Sequence, residues 1–209
     1  MATDGVERTE PRSGESLNSV TNTSCTMQPE DKQIEVTRTY LQLESPGDFS
    51  ASAVSDVATV ARAVHCPASF YRYLYQEVGR NYHWIDRLVW TDDDIRRHLE
   101  RTNIGLWVMY HSGAPGGYFE LEQHPDGSTE IAYLGLLQDF IGQGLGKYLL
   151  SQAVEQARAS RPIRIWLHTC SLDGPAAMPN YLKHGFKPFK QETYYTTLAP
   201  WERRDLGTS

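Results

Sequence analysis

Apolar and polar residues alternate along IEVTRTYLQL (34–43), the two-residue period of a half-buried strand. The pattern then changes. PASFYRYLYQEVG (67–79) opens on proline and closes on glycine, which predicts a helix. TDDDIRRHLERT (91–102) puts a threonine cap before three acids, which predicts a second. Three β-rich runs follow: IGLWVMYH (104–111), GGYFELEQ (116–123) and TEIAYLGLL (129–137). The turn residues PDG (125–127) make the last two a hairpin. Leu145, Tyr148, Leu149, Ala153, Val154 and Ala157 then recur at helical spacing, predicting a helix over 144–160. IRIWLHTC (163–170) reads as a strand. PAAMPNYLKH (175–184) reads as a short helix ended by Gly185, and FKPFKQETYYTTL (186–198) as two short strands. The order β-α-α-β-β-β-α-β-α-β-β predicts an α/β (α+β) fold, a mixed, mostly antiparallel sheet with helices on both faces.

Composition narrows the picture. Residues 1–33 contain no aromatic residue and are rich in Ser, Thr, Glu, Pro and Asn, so they read as a disordered tail. The expected domain runs over 34–200, with a second tail at 201–209. A net charge of −6 and a pI near 5.6 argue against nucleic acid as a partner. Cys25, Cys66 and Cys170 are odd in number and lack zinc-ligand spacing, so they read as free thiols, with no metal expected. No apolar run of membrane length and no apolar leader is present. The expectation is a cytoplasmic protein, monomer or homodimer, that does not engage a membrane.

One stretch breaks the ordinary rules. In LGLLQDFIGQGLGKYLL (134–150), glycines occupy positions 142, 144 and 146 where a helix is about to start. A Walker A loop would need Gly at 141 and Ser or Thr at 148, where Ile and Tyr stand. A dinucleotide fingerprint fails too, because Lys147 or Leu149 falls where its third glycine belongs. What remains is strand, glycine turn and helix. Unpaired N–H groups at a helix start bind anions, and glycines let a phosphate reach the backbone.

This stretch resembles the acetyl-CoA signature of the GNAT superfamily of N-acetyltransferases, R/Q-x-x-G-x-G/A after a strand. The signature falls on Ile141-Gly142-Gln143-Gly144-Leu145-Gly146, with isoleucine at its first position. PNYLKHGF (179–186) resembles the C-terminal motif of that family, with Gly174 where many members carry Asn. The resemblance covers about residues 34–198. It implies acetyl-CoA as cosubstrate, with its diphosphate against the backbone of 142–146 beside Lys147. Its pantetheine arm would lie along Leu134, Leu136 and Leu137, with the N–H near Leu136 as oxyanion donor. It also implies Tyr181 as general acid and Glu130 as general base, with Glu120 and Glu122 as rivals. His168 would orient substrate or relay a proton.

The segment 67–90 is dense in aromatics. Tyr75 and Trp84 there, with Tyr118 and Glu120, are candidate contacts to an acceptor, either by stacking or by cation–π attraction. The implied activity is acetyl transfer to a primary amine of a small molecule, by direct attack in a ternary complex. A protein or peptide acetyltransferase, or a non-catalytic acyl-CoA-binding module, remain alternatives.

Overall fold

The computed structural model describes residues 33–43, 49 and 58–197. The two expected tails lie outside the described residues, except for Gln33, which opens the first strand. Seven strands form one sheet: β1 (Gln33–Leu43), β2 (Ala58–Arg62), β3 (Ile104–His111), β4 (Ala114–Gln123), β5 (Ser128–Leu136), β6 (Arg164–Cys170) and β7 (Lys187–Thr197). Four helices accompany them: α1 (Ala68–Gly79), α2 (Asp92–Leu99), α3 (Leu145–Ala159) and α4 (Ala177–Lys183). The sheet order is β2-β3-β4-β5-β6-β1-β7, antiparallel throughout except between β5 and β6. The expected fold class is therefore observed.

The sheet separates two cores. On one side α3 buries Leu149, Leu150, Ala153 and Val154 completely against Leu41, Ile131, Ile165 and Leu167. Each such leucine contributes about 1.5–3 kcal/mol. On the other side α1 and α2 place Tyr71, Leu74, Tyr75 and Ile95 over Val108 and Tyr118. Helix α2 is capped as its sequence predicts. Thr91 accepts from the Asp94 N–H at 3.2 Å, and the Asp94 carboxylate accepts from the Thr91 N–H at 2.9 Å.

Two expectations need correction. β2 was not expected: ATVAR is a five-residue edge strand without alternation. The segment expected to give two strands gives one, β7. It accommodates Pro188 because β7 lies at the sheet edge, where a missing N–H is tolerated. The register shift opposite Tyr40 and Leu41 absorbs the irregularity.

The most consequential irregularity is in β5. The pairing with β4 runs from Tyr133 opposite Glu120 to Ile131 opposite Leu121, so Ala132 is an extra residue. Such a bulge bends its strand. The parallel pairing of β5 with β6 ends at Ile131 opposite Leu167, beside the bulge. Beyond that point the two strands share no pairing.

Candidate active site

A cavity of about 700 Å3 lies where β5 and β6 part. Its size is that of a small-molecule site. One half is built by β5 and the turn before α3. Leu134, Leu136, Ile141, Gly142, Gly144, Gly146 and Lys147 line it. Leu137 N–H donates to Gly116 C=O at 3.0 Å. Antiparallel alternation therefore turns the N–H groups of Leu136 and Leu134 away from β4, toward the parted side.

The glycine turn is open where it faces the cavity. Gly142 and Gly144 have φ of +83° and +78°, and a Cβ built at either meets nothing within 4 Å. The glycines are thus not dictated by packing against protein. Positive φ accounts for two of them, and the bare surface they leave is room for a ligand to touch backbone. Gly144 caps α3 with no side-chain hydrogen bond, and the first turn carries no acid. In α2 the same chain supplies a threonine cap and three acids. The first N–H groups of α3 are thus left for an anion from outside the protein. These residues fit a diphosphate.

The other half carries titratable side chains. Tyr181, on α4, lines the cavity and is 8% exposed. Burial, reinforced by Asp173, pushes its phenol well above the ordinary value, so it holds its proton throughout the neutral range. His168 lines the cavity from β6. Its Nδ1 lies 3.1 Å from Glu130 Oε1, and the other Glu130 oxygen lies 3.0 Å from His124 Nε2. Glu130 itself is buried and does not line the cavity. It stands behind His168, which presents its imidazole instead. Cys170 also lines the cavity, but burial and Asp173 raise its thiol, which disfavours a thiolate nucleophile.

Several residues expected here lie elsewhere. Gln143 turns back, its side-chain amide donating to Asp139 C=O at 2.8 Å. Leu145 is in the core under α3, and Leu137 packs on the cluster under α1. Of the expected acceptor contacts, only Trp84 reaches the cavity. Tyr75 and Tyr118 are buried in the core beneath α1 and α2. Glu120, fully buried, accepts from Arg87 at 2.8 and 2.9 Å and meets His98 Nε2 at 2.9 Å. Glu122 pairs with Arg101 at 2.6 Å. Neither rival carboxylate lines the cavity. In their place stand Arg38, Tyr82, His83, Asp86, Tyr133 and Tyr194. Tyr82, His83 and Asp86 fall within the aromatic-dense segment 67–90, whereas no local motif marks Arg38 or Tyr194, because β1 and β7 join the cavity only in three dimensions.

Residues 70–186 match the family model of the Acetyltransferase (GNAT) family, more than half of the chain. The chain belongs to the GNAT acetyltransferase family. Its fold is that of solved GNAT structures. A GCN5-related N-acetyltransferase from Kribbella flavida is 22% identical with a TM-score of 0.56, over 78% of this chain and 58% of that one. A putative GNAT acetyltransferase from Novosphingobium aromaticivorans is 13% identical with a TM-score of 0.52, over 77% and 63%. A tandem GNAT protein from the clavulanic acid biosynthesis pathway is 13% identical with a TM-score of 0.55, over 78% and 54%. This GNAT chain thus spans less than two thirds of the length of each. No curated protein matches it. Among its described residues no helix is long and apolar enough to cross a membrane, and no three His, Cys, Asp or Glu side chains are grouped to hold a metal ion.

Proposed function

We propose that this GNAT chain transfers the acetyl group of acetyl-CoA to the primary amine of a small molecule, by direct attack in a ternary complex, and that residues 34–200 form the catalytic domain. One observation carries the reading. An uncapped helix N-terminus, bared by Gly142 and Gly144, opens into the same cavity as a buried protonated tyrosine and a carboxylate-held histidine. Acetyl-CoA supplies an activated acyl group as a thioester.

The backbone N–H groups at the start of α3, beside Lys147, hold the diphosphate. Leu134 and Leu136 shield the arm from water. The Leu136 N–H donates to the carbonyl oxygen as it gains charge, a donor worth about 10²–10³ in rate. His168 takes the proton from the acceptor ammonium. Glu130 accepts from its Nδ1–H, fixing the tautomer that leaves Nε2 free as base. Tyr181 gives its proton to the departing thiolate.

Two outcomes test these parts. Gly144→Val puts a β-branched side chain at positive φ and a Cβ into the open cradle. Calorimetry should show acetyl-CoA affinity falling by about 10²-fold or more; wild-type affinity would remove the backbone-cradle assignment. His168→Gln should lower kcat by about 10²–10⁴-fold near neutrality while acetyl-CoA affinity holds. The deficit should shrink at high pH, where the amine loses its proton to solvent. Thiol release from acetyl-CoA against a panel of amines, amino acids and peptides tests the whole. Turnover of peptides alone would move the assignment to a protein acetyltransferase, and acetyl-CoA binding with no thiol release would leave a binding module.

A further inference from the structure

Arg38 lies outside every motif above, yet it lines the cavity. It sits on β1 opposite Cys170, two residues along from Tyr40, which is opposite His168. Its guanidinium lies over the Tyr194 ring with Cζ 5.0 Å from the centroid. Its Nε is buried and has no hydrogen-bond partner among the described residues.

Among the described residues most arginines rest on carboxylates, including Arg72 on Asp92, Arg87 on Glu120, Arg101 on Glu122 and Arg164 on Asp126. Among the described residues no carboxylate lies within ion-pair distance of Arg38. The acids nearest to hand are engaged. Glu192, opposite Arg38 on β7, accepts from Tyr40 OH at 2.7 Å and pairs with Lys190. Asp173 accepts from Thr169 Oγ1 at 2.5 Å and the Cys170 N–H at 2.9 Å. A planar fork of donors lining a cleft, with no carboxylate at ion-pair distance, is a site for a planar anion.

We propose that the acceptor is a free α-amino acid, its carboxylate held by Arg38 while its amine faces His168; this rests on the acetyltransferase reading above. The placement agrees. Arg38 and His168 stand on adjacent strands, two positions apart, and both line the cavity, so a carboxylate at one and an amine at the other belong to one small molecule. The charges agree too. The other cations lining the cavity, Lys147 and Lys183, belong to α3 and α4, whereas the acceptor side carries Arg38 with Asp86 and Asp173. One cation beside two carboxylates suits a zwitterion and repels a dianion such as a phosphate monoester. Tyr82, Trp84 and Tyr133 offer aromatic walls for the amino-acid side chain.

The test compares thiol release with the common L-amino acids, their α-amides and the matching decarboxylated amines, in the full-length wild type, Arg38→Gln and Arg38→Lys. In the wild type, kcat/KM for the best acid should exceed that of its amide by about 10²-fold, as for a hydrogen-bonded charge pair. Arg38→Gln should collapse that ratio toward one, mainly through KM. Arg38→Lys should restore part of it, since a point charge replaces a fork. Equal use of acid and amide by the wild type, or an Arg38→Gln loss shared equally by acids and amides, would overturn the inference and leave the acetyltransferase reading standing. If no panel member is turned over, calorimetry of the amino acids against the CoA-loaded protein decides, and absence of binding there overturns it. Failure of acetyl-CoA itself to bind would overturn both readings.

Discussion

Tyr181→Phe should cut kcat by about 10²–10⁴-fold near neutral pH while acetyl-CoA binds as in the wild type. The substitution removes one hydroxyl and leaves the ring, so the contact with Phe186 at 6.1 Å between centroids is kept. Stability should therefore change little. The loss falls on the step in which the thiolate leaves. The direction of the tyrosine's shift decides the pH dependence. Burial and Asp173 raise the phenol, so the acid form persists as pH rises, and the wild type should show no alkaline decline from loss of this proton up to about pH 10, the ordinary phenol value. In the variant the thiolate must take its proton from solvent or leave without one. A thiol near its ordinary pKa of about 8.5 leaves more readily unprotonated as pH climbs, so the deficit should narrow in that direction. Stopped-flow thiol release across pH, with calorimetry for acetyl-CoA, measures both parts. An unchanged kcat would remove Tyr181 as the acid.

The glycine turn, α3 and Tyr181 were legible in the sequence because each is local: consecutive residues specify a turn, a helix face, a short helix before Gly185. The half of the cavity lined from β1 and β7 was not. Arg38 and Tyr194 reach it only through the antiparallel registers of β1 with β6 and β7, which no window of sequence contains. Alternation along β4 put Tyr118 and Glu120 on defined faces, but alternation cannot say what covers a face. Here α1 and α2 cover it, so residues expected to meet an acceptor became core. Glu130 stands one step back from the cavity for a related reason. The parallel pairing of Glu130 with Trp166 sets the carboxylate beside His168, two residues on, and the bulge at Ala132 opens the cavity only beyond it.

Glu120→Leu should destabilise the fold by about 3–5 kcal/mol, the cost of leaving a buried ion pair half-made. Glu120 is fully buried and carries both Arg87, bidentate, and His98, with the Tyr71 hydroxyl donating at 3.1 Å. Arg87 also contacts the Tyr71 hydroxyl and lies 4.3 Å from the Tyr133 ring centroid. Tyr133 in turn meets Trp84 edge-on at 4.9 Å. This cluster thus positions two aromatic residues of the cavity wall from behind. Burial alone would raise the Glu120 carboxyl, but His98 and Arg87 outweigh it and hold it below the usual 4.5. A depressed carboxylate contributes stability that is present above its unfolded value and lost as pH falls through its folded one. The wild type should therefore lose this contribution below about pH 4.5, the ordinary range of the group, and the variant should lack that part of the acid limb. At neutral pH the midpoint of thermal unfolding should fall by about 10 °C. Arg87→Met combined with Glu120→Leu should recover much of the loss, because neither charge is then stranded. Urea and thermal denaturation of the two variants against pH supply the measurement. A Glu120→Leu protein as stable as the wild type but slow in acetyl transfer would return this carboxylate to the chemistry and overturn its structural role.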